Sequence, residues 1–471
     1  MVFSSLTFLC LFLPIVVGLH ALVKNGTVRN VILLAASLLF YAWGEPVWIV
    51  AMLFATAVNY VCARIIDRTT TPAGRKLALV IGIIISLSAL LYFKYSAFLV
   101  NNLCALAGVE FRMVQPKLPI GISFYTFQII TYTVDVYRKK APLQKNPLWL
   151  LLYVSLFPQL IAGPIVRYSD VAEAIEDREV TAQGVGEGFF RFSLGLGKKV
   201  LLANLCGEVL DTLPVGADLS FFSGWLAAAL FLLQLYFDFS GYSEMAIGLG
   251  RMMGFHFLEN FDAPFISQSV SEYWRRWHIS LGTFFREYVY IPLGGNRVKT
   301  GRWIFNMAVV WGLTGIWHGA NWNFLLWGLY FGFFMVLERT VLERLLEKTP
   351  RWIKHVVTVV LAVVGFVLFR TESFTEIGLQ LRAMFAPWQV PLSDPYATYA
   401  VKNNPLLLAM AVFCCLPLRK RLEAWLDQRA AAGKAASLGA WLKAGLSLAI
   451  VTLSLLFLVG QSFNPFLYFR F

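Results

Sequence analysis

Apolar stretches of about 17–25 residues, the length that an α-helix needs to cross a bilayer, recur along nearly the whole of this 471-residue chain. Hydrophobic residues make up 58% of the sequence, charged residues make up 14%, and the mean hydropathy is +0.66. Because a soluble domain carries about 25% charged residues, this chain cannot cover a core with a solvated surface in the usual way. The sequence therefore predicts an all-α polytopic membrane protein.

The apolar stretches predict about 11–13 transmembrane helices in a single integral membrane domain covering residues 1–471. Residues 94–116 look amphipathic, and residues 252–300 are aromatic but too charged to span, so we expect re-entrant or interfacial helices there. No internal repeat or attached soluble domain is visible. The candidate spans are residues 3–23, 28–43, 46–63, 77–93, 119–137, 148–164, 188–210, 223–247, 302–318, 321–338, 353–370, 402–418 and 440–460.

The positions of lysine and arginine predict the orientation of the chain in the membrane. Basic residues collect in cytoplasmic loops, and placing every basic loop there requires an N-terminus outside the cytoplasm. It also requires a broken or re-entrant element near residues 148–164, where FPQLIAGP supplies two prolines and a glycine. The basic loops lie near residues 64–76, 138–145, 275–302, 339–354 and 419–434.

Composition and motifs argue against several other classes of protein. The six cysteines lie in or beside apolar stretches without metal-binding spacing, so we expect structural thiols. The net charge of +13 fits cytoplasmic loops, so nucleic acid is not an expected partner. No phosphate-binding GxxxxGK[ST] loop occurs, which argues against an NTPase. Residues 3–23 lack a basic start and a cleavage site, so we expect a retained first span.

The stretch TGIWHGANW places a histidine and an asparagine inside an apolar region. A helix from Arg302 to Trp317 would rise only about 23 Å, less than the hydrocarbon thickness of about 30 Å. The turn at residues 319–321 would then lie below the far membrane surface, and irregular backbone at that depth must be buried in protein or line a cavity. His318 and Asn321 are therefore candidates for the floor of a funnel open to the outside. A satisfied helix–helix hydrogen bond is an equal alternative for His318.

The stretch SEYWRRWHISL carries a second histidine of interest. On one helix, Trp274, Trp277 and His278 would fall at i, i+3 and i+4 and form one aromatic face. Arg275 and Arg276 would then point elsewhere, toward phosphate headgroups or a bound anion. The alternative is an interfacial helix that tryptophan and arginine merely anchor.

Polar residues also mark the apolar span that contains QLYFDFSGYSEMAIGLG. Tyr236, Ser240 and Glu244 make one helical stripe, and Asp238 lies on an adjacent one. Burying an unpaired hydroxyl costs roughly 2–7 kcal/mol and a bare carboxylate far more, so the stripe must face partners or water. It either lines a pathway or forms a polar packing network. The spacing of Asp238, Glu244 and His256 matches no standard metal pattern, and we expect no metal site.

The chemistry of these groups fits acyl transfer. A neutral imidazole in a partly dry cavity is a competent general base, and it can also attack a thioester and carry the acyl group briefly. Arginines of the basic central segment suit the phosphates of an acyl carrier. A proton-coupled transporter also uses buried histidine and carboxylates, so the residues alone leave both classes open.

Five motifs, in this order, resemble those of the membrane-bound O-acyltransferase (MBOAT) family, in its bacterial exopolysaccharide branch. The resemblance covers residues 1–370 as the family core, leaving residues 371–471 as C-terminal helices, although the closing FNPFLYFRF also resembles that branch. The motifs are LPIGISFYTFQ, FPQLIAGPI, LYFDFSGYSEMAIGLG, ENFDAPFISQSVSEYWRRWHISLGTFFREYVYIPLGGNR and GIWHGANW.

The resemblance implies a bundle of about a dozen helices around a central tunnel. His318 takes the position of the family's essential histidine, as catalytic base or transient acyl acceptor, and His278 takes its second marker position. Arg275 and Arg276 are candidates for the donor phosphates, although membrane anchoring explains them equally well. The residues that we expect to line the substrate tunnel are Trp274, Trp277, Trp317, Asn321, Tyr236, Asp238, Ser240 and Glu244.

The resemblance also implies a function in the bacterial inner membrane. We expect acetyl groups to pass from a cytoplasmic donor, acetyl-CoA as substrate with no bound cofactor, toward an exported polysaccharide, alginate first. Expected partners are periplasmic SGNH-type acetyltransferase proteins, a polysaccharide synthase and export complex, and membrane lipid. Alternatives are cellulose or another exopolysaccharide, lipid or protein acylation within the family, and a polysaccharide or acyl-lipid transporter with His318 as proton relay.

Overall fold

The computed structural model describes residues 1–417, 421, 424–425, 435–460 and 466–467. Most of the predicted basic loop 419–434 and of the closing stretch 463–471 lies outside these residues. All of the regular secondary structure in the described part is helical, and these residues contain no β-strand. The prediction of an all-α polytopic membrane protein is therefore confirmed.

Six of the described helices are long and apolar enough to cross a membrane. All six coincide with predicted spans, and two shorter apolar helices, Phe8–Leu22 and Pro405–Cys414, coincide with two more. The number of transmembrane helices, 11–13, stays a prediction. The six are Gly26–Gly44, Ile49–Arg68, Pro72–Ala107, Phe221–Met252, Arg351–Arg370 and Gly439–Gly460.

The first half of the chain contains eleven α-helices among the described residues. Short π-helical turns join some of them into longer helices, at Leu91–Tyr95 and Lys198–Ala203 for example. The helices are α1 (Leu13–Leu22), α2 (Gly26–Gly44), α3 (Ile49–Arg68), α4 (Pro72–Leu90), α5 (Ser96–Ala107), α6 (Ile122–Tyr137), α7 (Pro147–Ser155), α8 (Phe157–Leu160), α9 (Tyr168–Glu176), α10 (Ala182–Gly197) and α11 (Asn204–Asp211).

The second half contains the helices that hold both histidines of interest. The central segment, which was too charged to span, folds into two short helices and a π-helical turn at Arg286–Tyr290. The helices are α12 (Phe221–Met252), α13 (Val270–Arg276), α14 (Ile279–Phe285), α15 (Thr300–His318), α16 (Trp322–Thr340), α17 (Glu343–Lys348), α18 (Arg351–Arg370), α19 (Phe374–Phe385), α20 (Pro395–Asn403), α21 (Pro405–Cys414) and α22 (Ala435–Gly460).

The chain divides into two compact units, and the prediction of a single membrane domain stays a prediction. The first unit comprises Met1–Leu194, Tyr242–Leu258 and Leu458–Phe469. The second unit comprises Gly195–Gly241 and the described residues of Glu259–Phe457. Both histidines of interest belong to the second unit.

Buried polar side chains connect α3, α4 and α6 within the first unit. The Asn59 amide nitrogen donates to the Ser86 hydroxyl at 2.8 Å, and the Thr133 hydroxyl donates to the Asn59 amide oxygen at 2.8 Å. All three side chains are buried, so each polar group finds its partner on a neighbouring helix.

The predicted break near residues 148–164 is present in the first unit. Helix α7 ends at Ser155, Leu156 leaves the helical conformation, and α8 begins at Phe157. The Tyr153 hydroxyl donates to the Val166 carbonyl at 2.8 Å, which ties the segment after the break back to α7. A re-entrant path through the membrane stays a prediction.

A carboxylate links the central segment to α16 within the second unit. Glu338 lies in the last turn of α16 and accepts hydrogen bonds from the Val270 and Ser271 backbone N–H groups and from the Ser271 hydroxyl. A carboxylate at a helix N-terminus satisfies free N–H groups and complements the helix dipole. This contact fixes the start of α13 and therefore the position of the WRRWH sequence.

Candidate active site

Glycines bring α15 and α16 into backbone contact around the GIWHGANW motif. A Cβ atom at Gly328 would overlap the Trp311 carbonyl oxygen, and one at Gly315 would overlap the Phe324 carbonyl oxygen. Small residues of this kind let two membrane helices approach closely enough for van der Waals packing along their backbones. The sequence thus forms a tight helical hairpin that carries His318 at the last position of α15.

Aromatic rings surround His318 in this hairpin. Its ring centroid lies 4.9 Å from those of Trp317 and Trp327 and 5.2 Å from that of Phe369 on α18. The side chain is 6% exposed, so the imidazole lies in an apolar enclosure contributed by three helices. Within the described residues, the buried Trp327 indole nitrogen has no hydrogen-bond acceptor.

The turn between α15 and α16 comprises residues 319–321. The Asn321 side-chain oxygen accepts a hydrogen bond from the Trp322 backbone N–H at 2.6 Å and so caps α16. The Asn323 amide donates to the Leu368 carbonyl at 3.2 Å, which connects the start of α16 to α18. A role for Asn321 in orienting His318 or stabilising an oxyanion stays a prediction.

The length of α15 corrects one step of the sequence argument. The helix begins at Thr300 and ends at His318, and its 19 residues rise about 28 Å. This is close to the hydrocarbon thickness of about 30 Å, whereas the sequence predicted a helix of about 23 Å. Helix length alone therefore gives little support to a turn recessed below the membrane surface, because two residues before Arg302 and one after Trp317 are also helical.

The prediction of one helical face for Trp274, Trp277 and His278 is wrong. Helix α13 ends at Arg276, Trp277 is extended, and His278 has a φ of 47°. Left-handed conformations of non-glycine residues need support from the surrounding structure. Here the support comes from the preceding loop, because the Ile279 N–H donates to the Asn260 carbonyl at 2.9 Å. This hydrogen bond, together with the one that the Asp262 N–H donates to the Arg276 carbonyl at 2.9 Å, overrides the local helical pattern.

The break in the helix sends the two tryptophans to different neighbours. Trp274 packs against Trp311, Trp327 and Phe331, with ring centroids 4.9–5.4 Å apart. Trp277 packs against a different set of rings, of which Tyr273 also contacts Trp274. This second group comprises Tyr236, Phe261, Phe265, Tyr273 and Phe366.

The loop before α13 also fixes the imidazole of His278. The Asn260 side-chain oxygen lies 3.2 Å from His278 Nδ1, and it accepts hydrogen bonds from the Ser280 N–H at 3.1 Å and the Ser280 hydroxyl at 2.9 Å. The Ser280 N–H can only donate, so the Asn260 atom facing these groups is the oxygen and His278 Nδ1 is the donor. In the neutral imidazole, Nε2 then carries the lone pair.

The surroundings of His278 favour the neutral ring. The side chain is 2% exposed and contacts Phe239 and Trp317, with ring centroids 4.6 and 5.9 Å apart. This part of the central segment lies outside the six candidate spans. Burial holds the pKa of the His278 imidazole well below its usual value, because the charged form loses its hydration.

A cavity of about 280 Å³ lies beside His278 within the second unit. Its wall includes His278, the indoles of Trp274 and Trp277, and the exposed arginines Arg275 and Arg286. Ligand pockets are commonly apolar with a few converging polar groups, and this cavity has that character.

One face of α15 leads from this cavity toward His318. Met307, Trp311 and Thr314 line the cavity, and His318 follows Thr314 by one helical turn. His318 itself is not among the described residues that line the cavity. The structure therefore places His278 in the cavity wall and His318 one turn beyond it.

The two candidate phosphate ligands are in different environments. Arg276 is bound to Glu272 at 3.0 Å and Asp262 at 3.4 Å, and it donates to the Asp262 carbonyl. Arg275 is exposed and lines the cavity together with Arg286. The cavity wall thus contains Arg275 but not Arg276. Arg276 instead connects the end of α13 to the preceding loop through Asp262.

The polar residues of α12 are not among the described residues that line this cavity. Tyr236 packs against Phe261, Phe265 and Trp277, and Asp238 forms a buried ion pair with Lys199. Ser240 is buried in the second unit. Glu244 forms a salt bridge with Arg191 at 2.7 Å in the first unit. These contacts have the character of a polar packing network, and a role in lining a tunnel stays a prediction.

Sequence reasoning missed four residues that belong to these surroundings, namely Asn260, Arg286, Trp327 and Phe369. Asn260 stands in the ENFDAPF part of a motif, but no spacing rule relates a loop asparagine to a histidine eighteen residues later. Phe366 and Phe369 recur at helical spacing on α18 and were visible only as part of an apolar span. Arg286 lies among other arginines of a basic segment, where sequence gives no way to select it.

The comparisons with known proteins agree with the motifs. Residues 81–373 match the model of the MBOAT, membrane-bound O-acyltransferase family. The chain is 39% identical over 500 residues to a probable alginate O-acetylase of Azotobacter vinelandii, and the alignment covers 100% of both chains. A probable alginate O-acetylase of Pseudomonas putida is 40% identical over 501 residues, again across 100% of both chains.

A relative with a different substrate in its name also aligns over the full length. The peptidoglycan O-acetyltransferase of Helicobacter pylori is 30% identical over 514 residues, which cover 100% of this chain and 98% of the relative. The family match spans more than half of the chain, and these relatives share its whole length. The protein is thus a multi-pass membrane acyltransferase that belongs to the membrane-bound O-acyltransferase family.

Proposed function

We propose that the protein passes acetyl groups from cytoplasmic acetyl-CoA across the bacterial inner membrane for O-acetylation of an exported polysaccharide, with alginate as the preferred polymer. The observation that carries this proposal is the similarity to probable alginate O-acetylases over the complete length of both chains. The cavity beside His278, with arginines in its wall, supports a donor that combines an acyl arm with phosphates.

In the proposed reaction His318 is the catalytic base or a transient acyl acceptor. As a base, its imidazole takes the proton of the acceptor hydroxyl while the hydroxyl oxygen attacks the thioester carbonyl. The carbon–sulfur bond breaks, the new carbon–oxygen bond forms, and the proton passes from the imidazolium to the departing CoA thiolate. As an acyl acceptor, the imidazole first takes the acetyl group and then gives it to the hydroxyl.

His278 has a supporting role in this proposal. Its position in the cavity wall suits a group that positions the thioester or accepts a proton there. Trp317 contacts both imidazoles and connects the cavity with the enclosure of His318. Arg275 and Arg286, in the wall of the same cavity, would hold the donor phosphates.

The proposal includes an orientation and a set of partners. The N-terminus would be periplasmic, with the basic loops in the cytoplasm. The immediate acceptors would be periplasmic SGNH-type acetyltransferase proteins working with a polysaccharide synthase and export complex. Cellulose, another exopolysaccharide and peptidoglycan are alternative polymers, the last because of the Helicobacter relative.

Inner-membrane vesicles test the donor and the direction. Inside-out vesicles from a deletion strain, with and without the restored protein, receive acetyl-CoA labelled in the acetyl group, and released CoA thiol is measured. We expect protein-dependent CoA release from inside-out vesicles and none from right-side-out vesicles, whose cytoplasmic face is closed to the donor. Equal release with and without the protein would contradict the proposal and favour the transporter alternative with His318 as proton relay.

A further inference from the structure

Asn260, in the loop before α13, forms hydrogen bonds with His278 at the helix break and with the two residues that follow it, Ile279 and Ser280. Its side chain is fully buried. The side-chain oxygen accepts hydrogen bonds from the Nδ1–H of His278 and from the backbone N–H and the hydroxyl of Ser280. Its backbone carbonyl accepts the Ile279 N–H at 2.9 Å. One residue therefore fixes the backbone conformation of His278 and one face of its imidazole.

We propose that Asn260 is a positioning residue that holds His278 as the neutral tautomer protonated at Nδ1, so that Nε2 is the basic nitrogen of the ring. This inference rests on the proposed function, since it concerns the histidine in the wall of the proposed donor cavity. An amide oxygen is a neutral acceptor, so it orients the ring without stabilising the charged imidazolium as a carboxylate would. Asparagine thus keeps His278 in the neutral form, whereas an aspartate at this position would stabilise the protonated imidazolium and raise its pKa.

The other groups around His278 also oppose its protonation. The rings packed against it from α12 and α15, Phe239 and Trp317, are uncharged. Arg275 and Arg286, which line the same cavity, are cations and so offer the imidazole no negative charge that would stabilise its protonated form. The nearby Arg276 and Asp262 form an ion pair with each other, so their charges offset one another.

A purely structural role for Asn260 is the competing explanation, because its oxygen also caps the start of α14 through the Ser280 N–H. The Asn260→Asp variant separates the two roles. A carboxylate accepts the same three hydrogen bonds and so keeps the fold, but it raises the pKa of the imidazole. Asn260→Leu removes all three hydrogen bonds, and Ser280→Ala removes one of them without touching His278.

The pH profile of CoA release from acetyl-CoA in inside-out vesicles is the first readout. His278 must be neutral to act, and its pKa is low in the wild type, so activity should persist toward acid pH. In Asn260→Asp we expect activity to be lost as pH falls, with a midpoint about 1–3 pH units higher than in the wild type. Ser280→Ala should keep the wild-type profile. A wild-type profile in Asn260→Asp would overturn the proposal.

Kinetic constants provide a second activity test. Asn260→Leu should lower kcat at least about tenfold with little change in KM for acetyl-CoA, because a supporting group that accepts a proton contributes to the reaction step rather than to binding. Membrane abundance is compared by blot for every variant. Wild-type kcat in Asn260→Leu would overturn the proposal, and so would full activity of His278→Gln.

A third readout is independent of activity. The chain has five histidines, so ¹⁵N-histidine spectra of the purified protein can be assigned to His278 by difference with His278→Gln. We expect a protonated Nδ1 and a bare Nε2 in the wild type near neutral pH, and in Asn260→Asp we expect Nε2 to become protonated at a pH about 1–3 units higher than in the wild type. A bare Nδ1 in the wild type would overturn the inference even if acetyl transfer is confirmed. Absence of CoA release in the wild type would instead refute the proposed function. The spectra would still show which nitrogen of His278 is protonated, because they do not depend on activity.

Discussion

The indole ring of Trp317 lies against the imidazole of His278, with ring centroids 5.9 Å apart. The same indole contacts His318, the next residue, at 4.9 Å. The two histidines that the family motifs single out therefore share one aromatic neighbour, although forty residues separate them in the sequence. Trp317 is 4% exposed, so this contact is part of the packed interior of the second unit.

Truncation of Trp317 to alanine should impair acetyl transfer more than its replacement by a smaller aromatic ring does. Trp317→Phe keeps an aromatic ring between the histidines and should retain most of the transfer activity. Trp317→Ala leaves a cavity, which costs about 3–5 kcal/mol for a buried aromatic side chain, and should release both imidazoles from their positions. CoA release per amount of membrane protein is the measurement, and equal activity of the two variants would show that the ring is dispensable.

Filling the cavity at Thr314 should block the donor. Thr314 lines the cavity one turn before His318, and phenylalanine there would occupy space needed by an acyl arm. We expect Thr314→Phe to abolish CoA release at normal membrane abundance. Leu313→Phe is the matched control, because Leu313 is exposed on the same helix and does not line the cavity among the described residues. Normal turnover in Thr314→Phe would exclude this cavity as the donor site.

The α15–α16 hairpin should depend on Gly328. A Cβ atom there would overlap the Trp311 carbonyl oxygen, so Gly328→Ala forces the two backbones apart. Overpacking of this kind costs about 1–3 kcal/mol, and the thermal unfolding temperature in detergent should fall. At Gly312 the added methyl group meets only the Leu325 side chain at 3.7 Å. Gly312→Ala should therefore be stable, and equal unfolding temperatures for the two variants would argue against close backbone packing.

Substitution of the two neighbouring arginines should affect different properties, the KM for acetyl-CoA at Arg275 and the stability of the protein at Arg276. Arg275 lines the cavity, so Arg275→Gln should raise KM for acetyl-CoA several-fold, up to about tenfold, the equivalent of 1.4 kcal/mol. Arg276 contacts Glu272 and Asp262, so Arg276→Gln should lower membrane abundance or thermal stability and leave KM near its normal value. Steady-state kinetics at varied acetyl-CoA concentration distinguish these effects. An unchanged KM in Arg275→Gln would remove Arg275 from the donor site.

The sequence predicted the fold class and most helices because long apolar stretches leave a chain few alternatives in a bilayer. It also predicted the break after α7 from the two prolines and the glycine of FPQLIAGP. These features are local, since each depends on the composition of one stretch. The predicted spans 77–93 and 188–210 extend into longer helices through π-helical turns, which have no sequence signal of comparable strength.

The arrangement around His278 was predicted incorrectly because it depends on distant residues. Helical spacing placed Trp274, Trp277 and His278 on one face, but hydrogen bonds from the loop containing Asn260 end α13 before the histidine. The enclosure of His318 likewise includes Phe369, which α18 contributes from fifty-one residues away. Periodicity finds which residues share a helix, whereas tertiary contacts decide which side chains meet.

The acetyl content of the secreted polysaccharide tests the central claim most directly. A deletion strain is complemented with the wild-type protein or with His318→Ala, membrane abundance is compared by blot, and acetate is measured in the exported polymer and in peptidoglycan. We predict that acetate on the exported polymer disappears in the deletion strain, returns with the wild type and stays absent with His318→Ala at normal abundance. Normal acetylation with His318→Ala, or an acetylated polymer that is merely no longer secreted in the deletion strain, would contradict the account.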